Sequence, residues 1–411
     1  MTSVPICLGC GAALTRTWID LGLQPLSNNF VPPARAAEAD QLYPLHARVC
    51  DACLLVQIDS VVPPDAIFND DYAYFSSFSE SWLAHCRAYA NAMTARFSLT
   101  ATSKVIEVAS NDGYMLQYFV ANGIPVLGIE PSANTAAAAT ARGVRTEVRF
   151  FGAETARDLA ARGETADLLA AKNVLAHVPD INDFVAGVAI ALKPDGVFTV
   201  EFPHLLTTSE GVQFDTIYHE HFTYLSLLAV DRIFVRNGLR IFDVERLTTH
   251  GGSLRVFACR TGAGHAVTDE VAAVMAAEVA AGLDGPAGYA GFEVRAQKVR
   301  DDLLAFLRAA AADGKTVIGY GAAAKGNTLL NYCGIGPDLL PFIVDRSPQK
   351  QGRLCPGSRV PVCAPDDLIV ARPDYVLILP WNIRPEVERQ LAEIRQWGGQ
   401  FVVAIPEIRL S

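Results

Sequence analysis

The sequence predicts an α/β protein in three parts: a small cysteine-rich module and, after it, two tandem α/β domains. Three observations predict this. Two Cys-x2-Cys pairs stand in a turn-rich stretch near the start of the chain. From Tyr72 to Arg260 apolar, β-branched runs alternate with helical stretches, and a second alternation begins at Val317. Strands separated by helix-length segments imply βαβ units and mostly parallel sheets. At 411 residues the chain exceeds one ordinary core, since domains average about 150 residues. The boundaries expected are 1–70, 71–265 and 266–411.

Composition narrows the class. Hydrophobic residues make up 51% and charged residues 19%, enough apolar surface to fill folded cores. A net charge of −10 argues against a protein that tracks nucleic-acid phosphates, but is compatible with a small anionic substrate. The opening residues MTSVPICLGC carry no basic region followed by an apolar one, so no secretory signal is expected. No apolar run reaches the roughly 20 residues of a membrane span. A cytoplasmic location follows, with neither membrane nor nucleic acid as partner; oligomeric state is not legible.

The first element is a metal site. Cys7-Leu-Gly-Cys10 and Cys50-Asp-Ala-Cys53 are two knuckles, each able to turn two thiolates onto one ion. Together they complete a closed tetrahedral set suited to structural zinc. Nine cysteines is an odd number, and this pairing in a cytosolic chain reads as metal binding rather than disulfides. Cys86, Cys259, Cys333, Cys355 and Cys363 lack ligand spacing and read as small apolar residues.

The middle domain follows, with strands expected at 105–109, 126–129, 168–171 and 197–202. The first runs into Glu107-Val-Ala109-Ser-Asn111-Asp112-Gly113, an acidic residue and then a small-residue turn. Such a turn admits an adenosyl cofactor, with Gly113 allowing close backbone approach and the helix start favouring a carboxylate. The second strand ends in Glu130-Pro131-Ser132, which places a carboxylate to accept ribose hydroxyls. NAD would use Glu130 in the same way but wants G-x-G-x-x-G at the first turn, which is missing, so S-adenosylmethionine is favoured. Asn173-Val-Leu-Ala-His177-Val-Pro-Asp180 sits where the third strand meets its loop, at the mouth of the sheet.

The densest titratable cluster is Phe214-Asp-Thr-Ile-Tyr218-His219-Glu220-His221-Phe222. Histidine can take a proton near neutral pH, tyrosine can hydrogen-bond an oxyanion, and glutamate can orient an imidazole. The His-x-His spacing leaves metal binding as a rival, without further ligands nearby. The loop Asp71-Tyr72-Ala-Tyr74-Phe75 brings aromatics that either cover a ligand or fill a core.

An Ala-rich helical stretch, 261–312, bridges to strands expected at 317–320, 342–344, 375–379 and 401–404. Val317-Ile-Gly319-Tyr-Gly321-Ala-Ala-Ala-Lys325-Gly326-Asn327 is a dinucleotide-like turn with alanines in place of the last glycine and an added lysine. Lysine and backbone N–H groups at a helix start suit a diphosphate. Asp345 and Lys350 after the second strand, and Trp381-Asn382 after another, lie on the ligand-facing edge of an open α/β sheet. A domain that only buttresses the rest is the alternative.

Taken in order, these segments resemble the bacterial sugar C-methyltransferases that build branched deoxysugars in antibiotic pathways. Gly22-Leu-Gln-Pro25-Leu-Ser, Tyr72-Ala-Tyr-Phe-Ser-Ser and His250-Gly-Gly-Ser-Leu-Arg join the motifs above, spanning nearly the whole chain. The resemblance implies a zinc module, an S-adenosylmethionine domain and a C-terminal Rossmann-like domain, with the nucleotide sugar between the last two. It implies TDP-4-keto-deoxysugars methylated at C3 through an enolate. Its base maps onto His221, with Tyr218 and Glu220 beside it and His177 and one of Tyr72 and Tyr74 nearby. An NAD-dependent sugar oxidoreductase, a family member that enolises or epimerises without methylating, and a non-catalytic zinc scaffold remain open.

Overall fold

The computed structural model describes residues 4–59, 62, 76–78 and 80–411. Three sheets occupy them. The N-terminal sheet is antiparallel, in the order Arg16–Gln24, Tyr43–Val49, Val56–Ile58 and Thr223–Tyr224. Its last strand comes from far along the chain, directly after the histidine cluster.

The middle sheet has seven strands, in the order Leu239–Leu247, Ser253–Arg260, Leu192–Pro203, Ala166–Lys172, Val105–Val108, Val126–Ile129 and Thr146–Glu147. Six of them share one direction, and Ser253–Arg260, paired antiparallel on both sides, runs against them. Val105–Val108 and Val126–Ile129 are buried throughout, as expected where helices cover both faces of a parallel sheet. The C-terminal sheet has six strands: Val362–Cys363, Ile343–Val344, Val317–Tyr320, Tyr375–Ile378, Gln400–Val403 and the antiparallel Arg409–Leu410. In both larger sheets the first strand of the α/β unit lies between its second and fourth. That is a topological switch point, where a crevice opens beyond the carboxyl ends of the strands.

The two long helices of the 261–312 stretch serve different domains. Asp269–Ala280 packs on Leu239–Leu247 and on the helix Leu227–Arg236, both in the middle domain. Phe292–Ala312 packs on the helix Ala324–Cys333 and on Arg16–Gln24, where Phe292 stacks on Trp18 at 4.1 Å. Between them the chain turns through Gly282 and Gly291, both at positive φ. Among the described residues, no helix is long and apolar enough to cross a membrane.

One buried carboxylate fastens the first of these helices. Glu278 is fully buried and accepts hydrogen bonds from Leu227 N (2.6 Å), Leu228 N (2.9 Å) and His204 Nε2 (2.7 Å). It thereby satisfies the orphan amides at the start of Leu227–Arg236, where a negative charge also meets the helix dipole favourably. Glu278→Ala strands three buried donors and is expected to cost about 1–3 kcal/mol, read as a lower urea midpoint for the middle domain. An unchanged midpoint would show that this cap contributes nothing.

Candidate functional site

The first strand of the middle sheet delivers a turn with three left-handed residues, Ala109 (φ 54°), Asn111 (φ 48°) and Gly113 (φ 76°). Glu107 is fully buried, with both carboxylate oxygens short of a hydrogen-bond partner and the Tyr114 phenol alongside. Burial pushes its pKa well up, against the pull of Tyr114 and Lys172. Asp112 is also buried: Oδ2 takes Ser77 Oγ and Arg142 Nη1 (2.8 Å), and Oδ1 is unpaired. Ser76 N donates to Asn111 Oδ1 (2.9 Å).

Glu130 stands at the tip of the second strand, next to Pro131. Its two oxygens accept Asn111 N and Ser132 N, each at 2.9 Å. Glu130 therefore shapes the turn as well as offering its remaining lone pairs. Gly113 has a packing reason of its own. A Cβ there would meet Val144 Cγ2 at 2.9 Å, so φ and packing require the glycine. Unpaired buried acceptors on Glu107, Asp112 and Asn173 fit a ligand rich in donors. The amino group and ribose hydroxyls of S-adenosylmethionine are such donors.

Asn173, at φ 53°, turns off the end of Ala166–Lys172 and donates from Nδ2 to His250 Nε2 (2.9 Å). Behind it Glu201 gathers buried Lys172, Arg255 (2.8 Å) and His85 (2.9 Å), fixing the strand end.

His221 is held at both ring nitrogens. Nδ1 lies 2.9 Å from the Thr216 carbonyl, which can only accept, so the proton of the neutral ring belongs on Nδ1. Nε2 then keeps its lone pair and accepts the Tyr218 phenol at 2.8 Å. The His177 ring lies edge-on at 4.6 Å, and Phe222 N donates to the Ala176 carbonyl (2.7 Å), clamping the two segments together. Burial holds His221 well below the usual imidazole range and brings His177 and His250 down to about 4, so all three are neutral at pH 7.

Glu220 does not orient the imidazole. Its Oε1 accepts Asn28 Nδ2 of the N-terminal module at 2.6 Å, and the Thr216 carbonyl does the orienting. His219 is buried against the Pro44 carbonyl (3.2 Å), so His219 and His221 do not converge on a metal. Tyr72 and Tyr74 lie outside the described residues.

The C-terminal domain meets this cluster through Trp381. Its Nε1 donates to Asp215 Oδ2 (2.8 Å), and its ring presses so closely on the His250-Gly251 turn that a Cβ on Gly251 would lie 2.3 Å away. The Lys325 ammonium lies 4.7 Å from the same ring and donates to Asn382 Oδ1 (2.7 Å). Asp215 is fully buried, Oδ1 has no partner, and burial pushes its pKa up to about 6 against the pull of Lys325.

At the glycine turn, where Gly321 has φ 86°, Asp345 accepts Ala322 N (2.7 Å) and Ser347 N (2.8 Å). Glu130 makes the same two bonds in the middle domain. Lys350 closes over this turn onto the Ala322 carbonyl (2.8 Å). Asn327 is buried, with Nδ2 on the Ser27 carbonyl (2.6 Å), and ties the C-terminal helix to the N-terminal module.

The sequence-predicted residues thus fall into three groups: Glu107 to Gly113 with Glu130 and Pro131; His177, Tyr218 and His221, with Asn173 on His250; and Lys325, Trp381 and Asn382, with Gly321, Asp345 and Lys350 at the glycine turn. Glu220 and Asn327 turn to the N-terminal module. Asn28, Thr216 and His250 were given no role by the sequence. Only the double glycine after His250 marked its unusual backbone.

Cys7, Cys10, Cys50 and Cys53 form a fourth group, their sulfurs all within 4.8 Å of one another. The Cys7–Cys53 and Cys10–Cys50 separations are 3.4 and 3.5 Å. Tetrahedral zinc, with Zn–S of about 2.3 Å, sets sulfurs about 3.8 Å apart, so the cluster fits that ion. The first knuckle docks on the middle domain through Asn182 Nδ2, which donates to the carbonyls of Leu8 (2.9 Å) and Gly9 (3.1 Å).

Comparison with known proteins gives three family matches in chain order. Residues 7–68 match a "Putative zinc binding domain", 82–244 a "Methyltransferase domain" and 248–406 a "C-methyltransferase C-terminal domain". The chain is 39% identical over 396 residues to the C-methyltransferase NovU of Streptomyces niveus, spanning 96% of this chain and 94% of that one. A ubiquinone biosynthesis O-methyltransferase of Rhodopseudomonas palustris is 28% identical over 97 residues, 24% of this chain and 38% of its own. Magnesium protoporphyrin IX methyltransferase from Synechocystis PCC 6803, solved with SAH, aligns at 15% identity and TM-score 0.35 over 44% of this chain and 83% of that one.

The thiolate cluster yields a direct expectation of one zinc per chain in freshly purified protein. Cys50→Ser should lose the ion and lower the melting temperature of the N-terminal module, because metal binding there is folding energy. Elemental analysis finding no zinc in the wild type would remove the metal from the site.

Proposed function

The chain belongs to the C-methyltransferase family, and from that premise we propose that it methylates a nucleotide-linked keto sugar, a TDP-4-keto-deoxysugar at C3. S-adenosylmethionine, held by Glu107, the 109–113 turn, Glu130 and Asn173, supplies an electrophilic methyl group. Zinc on the four cysteines is structural, since a closed thiolate set leaves no open position for chemistry. The nucleotide sugar lies between the two larger domains, its diphosphate against the glycine turn and the first amides of Ala324–Cys333.

The observation that carries this reading is the neutral, doubly held imidazole of His221. A proton next to a ketone is too weakly acidic to leave unaided, and its removal needs a positioned base. Thr216 fixes the tautomer, Tyr218 marks where the lone pair points, and burial keeps the ring unprotonated. His177 walls the base on the side of Asn173. The shared pattern of Glu130 and Asp345 also supports two ligand-facing turns, one per domain.

Donor binding tests the first half. Glu130→Ala is expected to weaken S-adenosylmethionine binding by about 1–3 kcal/mol, the loss of charge-assisted hydrogen bonds to the ribose. Unchanged affinity by calorimetry would put the adenosyl pocket elsewhere.

Deuterium exchange at the sugar α-carbon, measured without donor, tests the second. His221→Asn should lose about 10²–10⁴-fold in exchange while both ligands still bind. His219→Asn, whose ring faces Pro44, should exchange normally. Wild-type exchange in His221→Asn would transfer the role of base to another group, His177 first.

A further inference from the structure

We propose that Lys325 is a catalytic residue that carries the positive charge opposite the enolate oxygen, with Asp215 as its positioning partner. This rests on the enolising reaction above and assigns a second residue to it.

The geometry is a continuous chain of contacts around one tryptophan. Asp215 and Thr216 are neighbours. The Thr216 carbonyl carries His221 Nδ1 at 2.9 Å, and the Asp215 carboxylate carries Trp381 Nε1 at 2.8 Å. The Trp381 ring then supports the Lys325 ammonium at 4.7 Å. Trp381 also bears on Gly251, next to His250, so Lys325 is delivered to the imidazole side of the cleft. Its charge is felt at both His221 and His250.

An ammonium has three donors, and Lys325 spends one on Asn382. Burial works against its charge, and Asp215 is the group that opposes burial. Removing that carboxylate would favour a neutral amine, which could not pair with an anion.

A diphosphate fits this place poorly. It would bring its negative charge beside a fully buried carboxylate whose Oδ1 already lacks a partner. Lys350, at the glycine turn and part-exposed, is the cation better placed for phosphate. A ketone oxygen is neutral on arrival and becomes negative only as the reaction proceeds. When His221 Nε2 takes the α-proton, the C–H electron pair forms the carbon–carbon double bond and the carbonyl π pair moves onto oxygen. A fixed ammonium in a dry site stabilises that oxygen more than the ketone, which is what lowers a barrier.

The test compares wild type, Lys325→Met and Lys325→Arg in two assays on the intact protein. One is donor-free deuterium exchange at saturating TDP-keto sugar; the other is calorimetric binding of TDP alone. Lys325→Met is expected to lose about 10²–10³-fold in exchange, the scale of one oxyanion partner, with TDP affinity unchanged. Lys325→Arg should recover part of the exchange, because charge is retained. Exchange at the wild-type rate in Lys325→Met would overturn the proposal. So would a tenfold or greater loss of TDP affinity in Lys325→Met with exchange intact at saturation, since that is a phosphate ligand's signature. Absence of exchange in the wild type would instead overturn the enolising reaction itself, and this assignment with it.

Discussion

An irregular segment buried at a domain junction must find a partner for every backbone and polar group, because water cannot supply one. Residues 214–224 are such a segment, and all three parts of the chain provide its partners. Trp381 binds Asp215, and Thr328 Oγ1 donates to the Ile217 carbonyl, both from the C-terminal domain. Asn28 binds Glu220, the Pro44 carbonyl meets His219, and Ile58 N donates to the Phe222 carbonyl, all from the N-terminal module. The Ala176 carbonyl takes Phe222 N from the middle domain. Tyr224 then finishes as an edge strand opposite Val56. The orientation of His221 is therefore a property of the whole chain.

The same burial sets the electrostatics. Three imidazoles, His177, His221 and His250, are kept neutral by desolvation, while Asp215 and Lys325 hold opposite charges across the Trp381 ring. Neutral imidazoles leave Lys325 and Asp215, coupled through space, as the charges that act on the pocket. Low dielectric then makes each fixed donor worth more than it would be in water.

The sequence revealed what is local. Strands such as Val105–Val108 and Val317–Tyr320 are legible because burial on both faces demands continuous apolar runs. The cysteine knuckles are legible because two ligands per turn fix their spacing. The direction of a side chain leaving an irregular loop is not encoded that way. Glu220 sits next to His221 in sequence, yet its carboxylate turns to Asn28, 192 residues away. The motif around Gly113 does not announce Val144, the neighbour that leaves no room for a Cβ there. The roles of His250 and Thr216 depend on a left-handed turn and on a backbone carbonyl, neither of which has a residue-type signature.

The N-terminal module is consequently more than an appendage with a metal in it. Asn28, Ser27 and Pro44 each hold a group that the other domains place at the cleft: Glu220, Asn327 and His219. These three contacts come from loops or strand ends, which have little cohesion of their own. A four-cysteine cluster between Cys7 and Cys53 lies in the same module, and Asn182 fastens its first knuckle to the middle domain. On the proposed reading, zinc acts at a distance. It does no chemistry on the sugar, but it limits how far the wall behind His221 can move, and a base that must meet a carbon acid within hydrogen-bond reach depends on that limit.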